Sequence, residues 1–158
     1  MTTQTDGSYS REAWLVWDEG GRYPDVIAEL MSPSTAATDL GTKKDLYERV
    51  FRTPEYFVFD PFDPNSFQGW RLNGSHRYQS LVPNEQGWLW SQRLGMWLGT
   101  WEGTIERISA IWLRFYNPEG QLVLLPEKAA EQQASEAQRR AEETEAMLAK
   151  YRERFGDL

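Results

Sequence analysis

Residues 24–31 (PDVIAELM) are apolar at most positions, with Pro24 in front and Ser32-Pro33-Ser34 behind. A short, nearly continuous apolar run of this kind predicts a buried strand. Ser34 or Thr35 then offers a hydroxyl cap for a helix reaching to about Phe51. At the regular helical advance, Leu40, Leu46, Tyr47 and Val50 make one apolar stripe, while Asp45, Glu48 and Arg49 fall on the opposite face. Pro54 introduces a second strand, Glu55-Tyr56-Phe57-Val58-Phe59, which Asp60-Pro61 stops. Before all of these, residues 13–17 (AWLVW) form an aromatic-aliphatic run, and Asp18-Glu19-Gly20-Gly21 reads as a turn.

From Gly69 onward the pattern shortens. The runs GWRL, RYQSLV, GWLWS, IWLRFY and QLVLL are separated by turn signals such as Asn73-Gly74 and Pro118-Glu119-Gly120. This predicts antiparallel strands joined by hairpins. Pro126 closes that region. Residues 127–155 hold neither Gly nor Pro, and Ala130, Ala134, Ala137, Ala141, Thr144, Leu148, Tyr151 and Phe155 alternate at spacings of four and three. That is a heptad seam, poor in apolar area at its start and richer near its end. It predicts a coiled-coil-prone helix and a homo-oligomer formed through it. The pattern divides the chain into a loose polar stretch over residues 1–12, a domain over 13–126 and a charged helix over 127–158.

Composition narrows the chemistry. The 158 residues include no cysteine and one histidine, His76, so thiolate and multi-histidine metal sites are closed. Any metal here takes oxygen ligands, which points to magnesium or manganese. The absence of cysteine fits a reducing cytoplasm. No apolar run is long enough to span a membrane, and the N-terminus lacks the apolar core of a signal peptide. A net charge of −7 is the wrong sign for a general nucleic-acid coat. The basic residues Arg22, Lys43, Lys44, Arg49 and Arg52 form a small local excess that could face DNA.

Two charges sit where apolar residues are expected. Glu29 lies inside an apolar strand, where an ionised carboxylate is costly unless paired or bound to a metal. Lys43 lies in the middle of the helical apolar stripe and needs a carboxylate partner. Asp39, one turn earlier, gives a purely structural pair. Glu29 gives a Glu–Lys pair able to face a metal and a phosphate. Spacing alone leaves both open.

The blocks PDVIAELMSPST, DLGTKKDLY and TPEYFVFDP, followed by GWRL, RYQSLVP, GWLWSQRLGMWLG and LRFYNPEGQLVLLPEKAAE, occur in an order and spacing that resembles a bacterial restriction-endonuclease family, the Uma-two type. The likeness covers roughly residues 8–135. It implies the PD-(D/E)XK nuclease superfamily: an α/β restriction-endonuclease-like core with an antiparallel β extension, here followed by a long C-terminal helix. It implies magnesium-dependent hydrolysis of phosphodiester bonds in DNA, with Glu29 as a metal ligand and Lys43 as the lysine that steadies the attacking water and the transition state. Asp39 and Tyr47 match polar or aromatic helix positions with supporting roles. Ser32 matches a serine after the strand, which reads best as a turn hydroxyl.

Family members also carry an earlier strand whose Pro-Asp supplies the first metal-binding aspartate. By this resemblance the chain starts after that strand, which predicts impaired cleavage. Asp25 is a weak substitute, because it precedes Glu29 by four residues, about 13 Å along a strand. Asp18, on a turn, is another. The competing expectation is a non-catalytic module that binds DNA or associates with itself.

Overall fold

The computed structural model describes residues 20–156. The run AWLVW and the candidate Asp18 therefore lie outside the described residues, as does the polar stretch over residues 1–12. The described chain forms one compact unit up to Gln121 and a second over Leu122–Leu158.

In the first unit, β1 (Val26–Leu30), β2 (Glu55–Asp60), β3 (Asp63–Leu72) and β4 (Tyr78–Ser80) form one sheet in that order. β1 runs parallel to β2, pairing Glu29 with Val58, and the other pairings are antiparallel. A second, antiparallel sheet holds β5 (Leu89–Ser91), β6 (Met96–Ile105) and β7 (Ile108–Tyr116). This mixed α/β architecture is the one the family resemblance implies.

β2 explains why its sequence is apolar without alternation. Tyr56 and Val58 face a cluster with Met31 and Trp70, against which Ala36 and Tyr47 of the helical segment pack. Phe57 points the other way, to Leu89 and Leu98 of the second sheet. A strand covered on both faces needs apolar residues at successive positions. Gly69 and Gly99 allow the close approaches here. A Cβ on Gly69 would press on the Phe57 ring, and one on Gly99 would fall within the Trp88 indole.

Three expectations are corrected. β1 is not a buried strand. Among the described residues its only sheet neighbour is β2, and Ala28 and Leu30 are exposed. The apolar surface beside it includes Leu30, Phe62 and Ile108, all more than half exposed. Second, the run QLVLL forms no strand, only an isolated bridge, whereas β3 begins six residues before the Gly69 at which the sequence suggested it.

The third correction concerns the helix. Segment α1 (residues 36–51) alternates α-turns at Ala36–Thr38 and Lys44–Leu46 with wider π-turns at Asp39–Lys43 and Tyr47–Phe51. Leu40, Leu46 and Val50 are exposed, so the predicted apolar stripe is not the buried face. A π-turn advances less per residue than an α-turn, so residues four and eight apart stay better aligned. Asp39, Lys43 and Tyr47 thereby share the side toward the sheet. Glu48, expected outside, is buried instead, accepting hydrogen bonds from Arg77 Nε at 2.8 Å and the Tyr78 amide at 2.7 Å.

The second unit holds α2 (Pro126–Phe155), a single helix of 30 residues with Pro126 at its first turn. No helix among the described residues is long and apolar enough to cross a membrane.

Candidate active site

Glu29 projects from β1 toward α1, which supplies two direct partners and a third residue reached through Lys43. Tyr47 donates its hydroxyl to Glu29 Oε1 at 2.9 Å. Lys43 Nζ lies 3.1 Å from Glu29 Oε2 and 2.8 Å from Asp39 Oδ1. The two alternatives left open by spacing are thus one arrangement: a single ammonium bridges both carboxylates. Asp39 is 1% exposed, against 24% for the Glu29 side chain and 36% for Lys43, so the cluster opens outward on the Glu29–Lys43 side. Tyr56 closes the inner side, donating its hydroxyl to the Asp39 carbonyl at 2.9 Å.

The charges hold one another in their ionised forms. Burial pushes the Asp39 carboxyl up, but hydrogen bonds with Lys43 and Thr35 outweigh it and leave Asp39 below the ordinary carboxylate range. The hydrogen bond to Asp39 raises the Lys43 ammonium above its usual value despite the opposing effect of burial, with Glu29 adding to the rise. Burial, then the neighbouring Glu29, raises the Tyr47 phenol, which stays a neutral donor.

The remaining candidates lie elsewhere or act locally. Asp25 sits before β1 with its side chain 69% exposed and faces Arg93 Nε at 3.8 Å. The structure does not bring it to Glu29. Ser32 Oγ lies 2.9 Å from Ser34 Oγ and 3.2 Å from Thr35 Oγ1, within the turn that starts α1. Of the basic residues, Lys43 is held by two acids, Lys44 lies 3.9 Å over the Trp70 ring, and Arg49 faces Asp45 and Glu48.

Glu55 was missed as a polar centre. It is fully buried at the start of β2 and accepts hydrogen bonds from Arg71 Nε, the Ser91 hydroxyl and the amides of Gln92 and Arg93. Arg71 continues to the Trp90 carbonyl at 2.7 Å, joining the two sheets. The reasoning that singled out Glu29, an acid in an apolar strand, applies equally to Glu55. No such signal marked Glu48, because a regular helical advance placed it outside.

The donor set does not by itself make a magnesium site. Both oxygens of Glu29 are engaged, and the position between the two carboxylates is filled by the Lys43 ammonium. No group of three or more His, Asp or Glu side chains suited to a metal occurs among the described residues.

The mixed α/β architecture fits the restriction-endonuclease-like class. The chain belongs to the Uma2 family, described as "Putative restriction endonuclease", whose family model matches residues 2–105. No curated protein and no solved structure matches the chain significantly.

Proposed function

We propose that this chain derives from a DNA endonuclease that hydrolyses phosphodiester bonds with a divalent ion, magnesium or manganese, and that cleavage by the chain alone is weak or absent. The observation that carries this is the Lys43 ammonium bridging Glu29 and Asp39. It supports a lysine–carboxylate centre of nuclease type whose second acid faces lysine rather than an open position. Glu29 and Lys43 form the outward side, where a phosphate would approach. Asp39 and Tyr47 hold those two in place, and Asp25 contributes nothing to them.

A plasmid-nicking assay with magnesium and with manganese tests this, alongside Glu29→Ala, Asp18→Asn and Asp25→Asn. Cleavage near background is expected. Robust cleavage abolished by Glu29→Ala alone would overturn the impairment. Manganese binding, followed by proton relaxation of bulk water, tests the lineage without turnover. Weak binding lost in Glu29→Ala supports the nuclease reading, and manganese binding indifferent to Glu29 sinks it.

A second reading, a non-catalytic self-associating module, is favoured by one observation: the large seam residues of α2 are exposed, Leu148 at 52% and Tyr151 at 57%. The two readings are compatible if the chain associates but does not cut.

A further inference from the structure

We infer that α2 docks with α2 of a second copy of this chain as an antiparallel two-stranded coiled coil. In proteins most helical stability comes from packing an apolar face rather than from propensity. The seam of α2 carries apolar residues on one face, and Leu148 and Tyr151 of it are exposed. These residues occupy alternating spacings of four and three, which only a partner helix can use continuously.

The orientation follows from size and charge. In a parallel, in-register pair, Ala130, Ala134, Ala137 and Ala141 would each meet their own copy and bury little area. Antiparallel pairing with full overlap puts Leu148 against Ala137 and Tyr151 against Ala134, so each large side chain meets a small one. The ends agree with that choice. Glu127, Glu131 and Glu136 outnumber Lys128 near the start, while Lys150, Arg152 and Arg154 outnumber Glu153 near the end. Parallel pairing sets like-charged ends side by side, and antiparallel pairing sets opposite ones. In the antiparallel register Glu131 of each copy flanks the seam opposite Arg152 of the other, giving two cross-pairs. Nothing in this inference depends on nuclease activity.

Sedimentation of the full chain across a range of concentrations should show a monomer–dimer equilibrium, and Leu148→Asp should leave monomer at all concentrations tested. Glu131→Arg should weaken dimerisation by about tenfold, since it sets arginine against arginine at both ends. Adding Arg152→Glu to it should restore most of the loss. Glu143→Arg, which points away from the seam, should change little. The chain has no cysteine, so engineered ones report cleanly. Chains with Ala134→Cys mixed with chains with Tyr151→Cys should oxidise to the mixed disulfide. Monomer throughout, or an unchanged dimer in Leu148→Asp, overturns the interface. Ala134→Cys cross-linking to its own copy overturns the orientation.

Discussion

Asp39, Lys43 and Glu29 set the stability of the site more through desolvation than through the number of their contacts. Lys43→Met leaves the 1%-exposed Asp39 without its cation. The expected loss is about 2–3 kcal/mol, the range for stranding a buried charged group, read by urea unfolding at neutral pH. The pH dependence follows from the shift directions. Asp39 is depressed, so its contribution is present above about pH 4 and is lost as pH falls through its lowered folded value. Lys43 is raised, so its contribution is fully present below about pH 10 and is lost only as pH rises beyond that. Urea midpoints from pH 3 to 8 should therefore fall on the acid side in the wild type, with a smaller fall in Asp39→Asn. Thr53 makes the opposite case. It is fully buried, and its hydroxyl oxygen has no hydrogen-bond partner among the described residues. Thr53→Val removes that group at nearly constant shape and should stabilise by about 1–2 kcal/mol. A lower urea midpoint in that variant would show that the hydroxyl is satisfied.

Among the elements, the β6–β7 hairpin is joined by Glu106 and Arg107 alone, both with positive φ, 48° and 69°. Two-residue turns of this kind favour Asn-Gly, because most side chains resist the left-handed region. Replacing Glu106-Arg107 with Asn-Gly should raise stability by about 1–2 kcal/mol, seen as a higher thermal midpoint. Gly99 in β6 is constrained the other way. Trp88 lies over it and stacks on Tyr116 with ring centroids 3.9 Å apart. Gly99→Ala must displace that indole, and a loss of about 1–3 kcal/mol is expected, with a changed near-ultraviolet circular dichroism signal from the displaced tryptophan. In β2, Glu55 gathers four donors in a fully buried position. Glu55→Ala strands those donors and the Arg71 charge, at about 3–5 kcal/mol, which makes it a more damaging change than Glu29→Ala at the half-buried site.

At the scale of the whole molecule, a compact unit up to Gln121 and a long charged helix place different demands on the chain. The first carries its own cores on both faces of β2. The helix of the second unit is exposed over nearly its entire length. Its helicity should therefore depend on association. Diluting the full chain should lower the far-ultraviolet helical signal, and Leu148→Asp should show the diluted signal at every concentration. A helical signal constant across dilution and identical in the variant would show that the helix stands without a partner. The net charge of −7 also predicts feeble contact with nucleic acid. Binding to duplex DNA by fluorescence polarisation should be weak and should vanish as salt screens the few cations available.

The sequence by itself determined what local chemistry can encode. Pro54 and Asp60-Pro61 marked the ends of β2, and the uninterrupted Ala, Glu, Gln and Arg stretch after Pro126 required a helix. Glu29 and Lys43 stood out because a charge on an apolar face needs a partner. Tertiary structure decided the rest, because each remaining question turned on geometry between distant segments. Which acid Lys43 meets was settled by the parallel pairing of β1 with β2 and by α1 lying across that sheet, and the answer is both. The inward side of α1 was settled by π-turns, which no regular periodicity reveals and which buried Glu48 while leaving Val50 exposed. β1 is half exposed because burial depends on neighbouring strands, and a strand's own residues do not specify how many neighbours it has.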